Sequence, residues 1–316
     1  MGEIGSEDGP QELDGLAVEA AVDHVVDDDA DPSEVRETLG IVAQDSVVRR
    51  SAVDDAVGNA SMVVTTAETR VELAGDKLNS ADKAAEPVAD IERVSHRLHR
   101  FESQLTHLKE HANELGNAIQ EILAMKNDGS LYEIATPIKQ VTRDATDVQR
   151  VADDMQLELD SFIEWLTDAD TREEELTADV NALADSVNEL EEIVEAIKRD
   201  GSDFETKPAN RWAAAMVRHR VASLMIRDLE AEVGSLRTWA EREDTRPPSN
   251  ISPQLAEIRS THETVGEQLN ASAEPEWTAQ FDDQLTALDD ALEEMEPPVS
   301  WAEVENIAHE HKPTVE

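Results

Sequence analysis

The chain contains no cysteine. Disulfides, thiolate metal sites and cysteine nucleophiles are therefore excluded. Aromatic residues make up only 3% of it, with a single tyrosine. No uninterrupted apolar run reaches the length of a bilayer-crossing helix, so no membrane span is expected. Positive charge is scarce. Lys and Arg number 27 against 72 Asp and Glu, a formal net charge of −45. Nucleic acid and anionic lipid surfaces repel such a chain, so neither is an expected partner. Sequence patterns of common chemistries are missing as well. None of the nine histidines has Glu three residues before it, and there is no His-Glu-x-x-His. The glycine-rich phosphate loops and the Gly-x-Ser-x-Gly elbow are also absent. The expectation is a non-enzymatic protein without a cofactor.

What is present is acid spread over the whole length and interleaved with ordered apolar spacing. A solvated tail would concentrate the charge at one end, and a disordered chain would lack the spacing. Arginines number 19 and lysines 8. Carboxylate-rich, lysine-poor surfaces suit a cytoplasm of molar salt, where the Debye length is about 3 Å and self-repulsion is screened.

The apolar residues set the architecture. Val53, Val57, Ala60, Val64, Ala67, Val71, Ala74, Leu78, Ala81 and Ala85 alternate steps of four and three. This is a heptad seam of small side chains. A second seam runs from Ile91 through Phe101 and Leu115 to Ile122 with larger side chains, and Asn127-Asp128-Gly129-Ser130 then signals a turn. A third begins at Leu131, passes Met155 and Leu166, and keeps its phase to Ile197 with Glu173 as the break. One rod over 131–197 satisfies this pattern. A bend or hairpin near 168–172 satisfies it too and is favoured, because Thr171-Arg172-Glu173-Glu174 resembles a capping box. Asp200-Gly201-Ser202-Asp203 ends that stretch.

Further helices are expected over about 208–243, 253–270 and 275–295, with breaks at Arg246-Pro247-Pro248 and Pro297-Pro298. Ser300-Trp301-Ala302-Glu303, a second capping box, opens a short last helix. Before residue 46, Leu13–Val26 and a stretch from Pro32 to about Ala43 read as short helices, and no strong strand signal occurs anywhere. The predicted fold is all-α: elongated antiparallel long-helix (coiled-coil) bundles, whose lengths fit two three-helix bundles in tandem, with short N-terminal helices. The segments are 1–11 as a disordered lead, 12–45 as short helices, 46–168 as a first bundle, 169–296 as a second, and 297–316 as a terminal helix and tail. Seams of this kind are buried only against one another or against another chain.

Two groups of residues attract a functional reading. His107 and His111 lie one turn apart, with Glu114 nearly a turn further. Such spacing can hold a transition metal, whereas the plainer reading is a solvated helix face. The stretch Thr206 to Arg227 carries Lys207, Arg211, Arg218, Arg220 and Arg227 with no Asp or Glu. Together with Trp212, Arg211, Arg218 and Arg220 would make a basic amphipathic docking face. The plainer alternative is a central bundle helix whose arginines pair with neighbouring carboxylates. Trp301, just after Pro297-Pro298, is a further candidate anchor for a partner.

The stretches Ala60-Ser61-Met62-Val63-Val64-Thr65-Thr66-Ala67-Glu68-Thr69-Arg70-Val71-Glu72-Leu73 and Val299-Ser300-Trp301-Ala302-Glu303-Val304-Glu305, within so acidic a chain, resemble haloarchaeal helical proteins labelled "halo transducer protein". The resemblance implies signalling. It carries over no functional residue, because the glycine-flanked, alanine-rich hairpin tip of methyl-accepting transducers is absent. Two functions are therefore expected. The first is a cytoplasmic coiled-coil interaction or scaffold protein adapted to high salt, with protein partners or a second copy of itself. The alternative is a soluble signal-transducing bundle that relays a helix shift induced by a partner or ligand.

Overall fold

A computed structural model describes residues 13–26, 31–199, 207–248 and 250–312. The expected lead over 1–11, the turn at 200–203, Thr206 and the last four residues of the tail lie outside the described residues. Helices α1 (Val18–Val25) and α2 (Pro32–Gly40) come first, followed by strands β1 (Ala43–Gln44) and β2 (Val47–Val48). Then come α3 (Val53–Ala85), α4 (Glu92–Met125), α5 (Leu131–Thr167), α6 (Ala169–Lys198) and α7 (Pro208–Glu243), and finally α8 (Ile251–Ser272), α9 (Pro275–Glu293) and α10 (Trp301–Glu310). The fold is all-α. Two compact units divide the chain: Met1–Lys83 with Leu98–Ile163, and Ala84–Arg97 with Glu164–Glu316.

The first unit is built on a three-helix bundle whose directions follow from its contacts. Gly75 meets Leu105 and Gly116 meets Glu68, so α3 and α4 run antiparallel. Phe101 packs on Phe162 with ring centroids 5.6 Å apart, placing α5 antiparallel to α4. Gln149 donates to the Val63 carbonyl and Gln156 to that of Arg70, so α3 and α5 are parallel. All ten small residues of the first seam are buried. Helix α5 opens with a reciprocal capping box. The Ser130 hydroxyl accepts from Glu133 N–H, and the Glu133 carboxylate accepts from Ser130 N–H.

The short N-terminal elements differ from the sequence expectation. Asp31 caps α2 by accepting from Ser33 N–H, as the Asp-Pro order predicts. Residues 43–48, however, form a hairpin, with Ala43 opposite Val48 and Gln44 opposite Val47. Asp45 and Ser46 both take positive φ, 54° and 65°, as a two-residue primed turn requires. Short polar side chains tolerate that region, and four strand residues are too few to leave an alternating pattern.

In the second unit, α6 and α8 flank α7, and α9 also packs on α7. Arg218 faces Glu189 and Arg172 faces Glu243, so α6 and α7 are antiparallel. Gln254 donates to Asn181, so α8 runs parallel to α6. Arg220 pairs with Asp289, so α9 runs parallel to α7. Helix α5 stops at Thr167 and α6 starts at Ala169, so 131–197 is not one rod. The break lies at Asp168, whose extended backbone and carboxylate, accepting from Asp170 N–H, cap α6. Thr171 falls inside the helix. Ser300 precedes α10 without a side-chain cap bond, so the second expected box does not form either.

Candidate functional site

On the flank of α3 that meets α5, Arg70 pairs with Asp153, and one heptad later Lys77 pairs with Asp160. Between these pairs, at the same level on the two parallel helices, stand Leu73 and Leu157, 44% and 67% exposed. Met62, 64% exposed, lies three turns before Leu73 on the same stripe of α3. A scattered surface leucine needs no explanation. Two at one level, bracketed by ion pairs that hold both helices, make an apolar spot with a charged frame. The frame is made by residues of α3 and α5.

The second unit holds its chemistry inside. Asp228 and Glu232 of α7 are each 2% exposed. Arg93, in the first turn of α4, reaches Asp228 at 3.0 Å and Glu232 at 3.2 Å. Arg97, one turn later, pairs with Glu175 and stacks its guanidinium 4.2 Å from the Trp165 ring. Loss of hydration pushes the Glu232 carboxyl up to about 7 against the opposing pull of Arg93 and Arg97. Asp179, exposed at the edge of the cluster, is raised as well by partial loss of hydration, with the Glu175 charge second.

Arg172 is 4% exposed. It donates to the carbonyls of Trp165 and Leu166, pairs with Glu243 and lies 4.1 Å over Trp239. These bonds satisfy carbonyls that the end of α5 leaves open.

A second interior feature joins α7 to α8. His219 and His262 stack with ring centroids 3.8 Å apart and planes 9° apart. Each Nε2 lies within hydrogen-bond distance of the other's backbone carbonyl, 3.1 Å and 2.9 Å. A carbonyl only accepts, so both rings carry the proton on Nε2. Burial, then the neighbouring ring, lowers His219 to about 4. Gly266 makes room, since a Cβ there would fall 2.7 Å from His219 Nε2.

The candidates read from sequence are dispersed. His107, His111 and Glu114 are exposed on α4, and His107 Nδ1 sits 3.7 Å from Glu110. Among the described residues no three His, Asp or Glu side chains form a metal-ligand group. Trp212 does not belong to a docking face. It is buried, it donates its indole N–H to the Leu269 carbonyl at 3.0 Å, and it packs against Trp277. Arg211 beside it is half-buried. Arg220 pairs with Asp289 at 2.5 Å, and exposed Arg218 faces Glu189 at 4.0 Å. Trp212, Arg218 and Arg220 thus each meet a group on a neighbouring helix, as in the plainer reading. Trp301 is half-buried and packs against the cluster of Leu224, Leu288, Leu292, Val299 and Val304.

Sequence reasoning missed Glu232, Asp228 and the histidine pair. The available signal was the acid-free run preceding Asp228, which marks a helix packed on several sides. Compared with known proteins, the chain matches no protein family, no curated protein and no solved structure.

Proposed function

We propose that the chain is a non-enzymatic helical interaction protein suited to high salt, and that it docks a protein partner on the α3–α5 flank of its first unit. The observation that carries this reading is the pair Leu73 and Leu157, outward-facing at one level between two ion pairs one heptad apart. The buried seams of α3 and α5 fix both helices before a partner arrives, so no backbone ordering is lost on docking. The complementary surface is a helix with an apolar ridge flanked by Lys or Arg. Molar salt weakens the charged rim and leaves the apolar contact to hold the complex.

Pull-down in high salt from the native extract, with mass spectrometry, tests the proposal. Leu157→Asp should lose the partner that wild type retains, with affinity falling by roughly 30-fold or more, as for a central apolar anchor. Its helicity should not change, because Leu157 is exposed. The same partner retained at equal strength by Leu157→Asp, or no partner for wild type, overturns it.

A second reading, a bundle that relays a helix shift, is favoured by one observation. Helix α7 carries both Glu232, raised to about 7, and His219, lowered to about 4, two groups whose proton binding is perturbed by the packing of that helix.

A further inference from the structure

The two interior carboxylates of α7 differ in how they are served. Asp228 Oδ1 accepts from Arg93 and, at 3.3 Å, from Val299 N–H. Glu232 Oε2 faces Arg93. Glu232 Oε1 is buried and has no hydrogen-bond partner among the described residues. A carboxylate oxygen withdrawn from water without a donor is strongly destabilising.

Among the described residues no further cation is shown to serve it. Helix α4 contributes Arg93 and Arg97, and Arg97 is engaged with Glu175 and Trp165. Helix α6 contributes Glu175 and Asp179, and α7 itself Asp228. Towards α7, α8 presents Arg259, closed on Glu230, and α9 presents Asp289, closed on Arg220. Four carboxylates thus meet two guanidiniums.

We propose that this cluster is a proton-binding site: Glu232 Oε1 takes up and releases one proton, and the packing of the start of α4 against α6 and α7 follows it. The proton turns an acceptor that finds no donor into a donor among carboxylates. It also removes one of the two excess negative charges. On release, the new charge has half of one guanidinium to face and draws water in past exposed Asp179 at the rim. The raised affinity of Glu232 for a proton, up to about 7, agrees with this geometry. The inference is independent of the docking face on α3 and α5.

Infrared difference spectroscopy of the full chain in molar potassium chloride tests it. Wild type should show a protonated-carboxyl band that titrates near neutrality and is missing in Glu232→Gln. Near-ultraviolet circular dichroism, reporting the Trp165–Trp239 pair 5.2 Å apart, should change with the same midpoint in wild type only. Asp179→Asn, at the exposed rim, removes a like charge and should lower the midpoint, with proton affinity falling about threefold. This arm decides the matter if Glu232→Gln does not fold. A band common to wild type and Glu232→Gln, a midpoint unmoved by Asp179→Asn, or aromatic dichroism indifferent to the titration overturns the proposal. So does a carboxyl that stays ionised in potassium and protonates only when tetramethylammonium replaces it, which would give the position to an alkali cation.

Discussion

Replacing Gly266 with alanine should destabilise the protein in one background and stabilise it in another. In wild type the new Cβ would lie 2.7 Å from His219 Nε2 and 2.9 Å from Cε1, closer than atoms tolerate. The ring cannot simply turn aside, since it is stacked on His262 and bonded to the His262 carbonyl. Crowding of this kind costs about 1–3 kcal/mol, and losing the Nε2 bond adds about 1 kcal/mol. Against that, alanine in a helix interior gains about 1 kcal/mol over glycine. The net loss expected for Gly266→Ala is about 1–3 kcal/mol. In a His219→Ala background the obstacle is gone and only the helix gain remains. Gly266→Ala should then stabilise by about 0.5–1 kcal/mol. Urea unfolding of the four proteins in molar salt completes the cycle, with an expected coupling of about 2–3 kcal/mol. The reasoning fails if Gly266→Ala has the same sign and size in both backgrounds.

Two further predictions follow from the same unit. His219 is lowered from 6.5 to about 4, so the unfolded chain binds its proton more tightly than the folded one. Its contribution is complete above about pH 6.5 and is lost as pH falls towards 4. The ring is only partly buried, so the loss is discounted to about 1–2 kcal/mol; urea unfolding at pH 7 and near pH 4 should show it in wild type and not in His219→Gln. Arg172→Lys keeps the charge but cannot bond two carbonyls and Glu243 together from one planar group, and a stability loss of about 2–4 kcal/mol is expected by urea unfolding. A loss under about 0.5 kcal/mol would count against the role given to Arg172.

The seams were legible because a heptad rhythm states directly which side chains must leave water. Every position of the first and third seams, Val53 to Ala85 and Leu131 to Leu166, is buried. In the second seam, Leu98 is only half-buried. At the break near Asp168 the rhythm misleads. Ala169 and Glu173 keep the phase but stay half-buried, and the buried residue is Arg172, drawn in by carbonyls and an indole face. The interior of α7 was illegible for a related reason. Asp228 and Glu232 are carboxylates in a chain full of carboxylates, and only the Arg93 guanidinium, 135 residues from Asp228 in sequence, separates them from the solvated ones. The histidine pair likewise joins residues 43 apart, beyond the reach of any local pattern. Leu73 and Leu157 were visible as letters, but their common level depends on α3 and α5 running parallel.

The ties between α3 and α5 recur every seven residues: Arg70 to Asp153, then Lys77 to Asp160. Sliding one helix by a full repeat brings Arg70 opposite Asp160 and leaves Lys77 opposite Thr167, so one of the two fastenings survives. Charge therefore favours the observed alignment by one exposed pair, worth about 0.2–1 kcal/mol. Gly75 favours it too. It lies against Leu105, where a Cβ would make an ordinary contact 3.6 Å from the leucine methyl, and a seven-residue slide of α3 would present the larger side chain of Glu68 or Asp82 there instead. The small residue facing Leu105 thus works as a vernier mark of the first bundle.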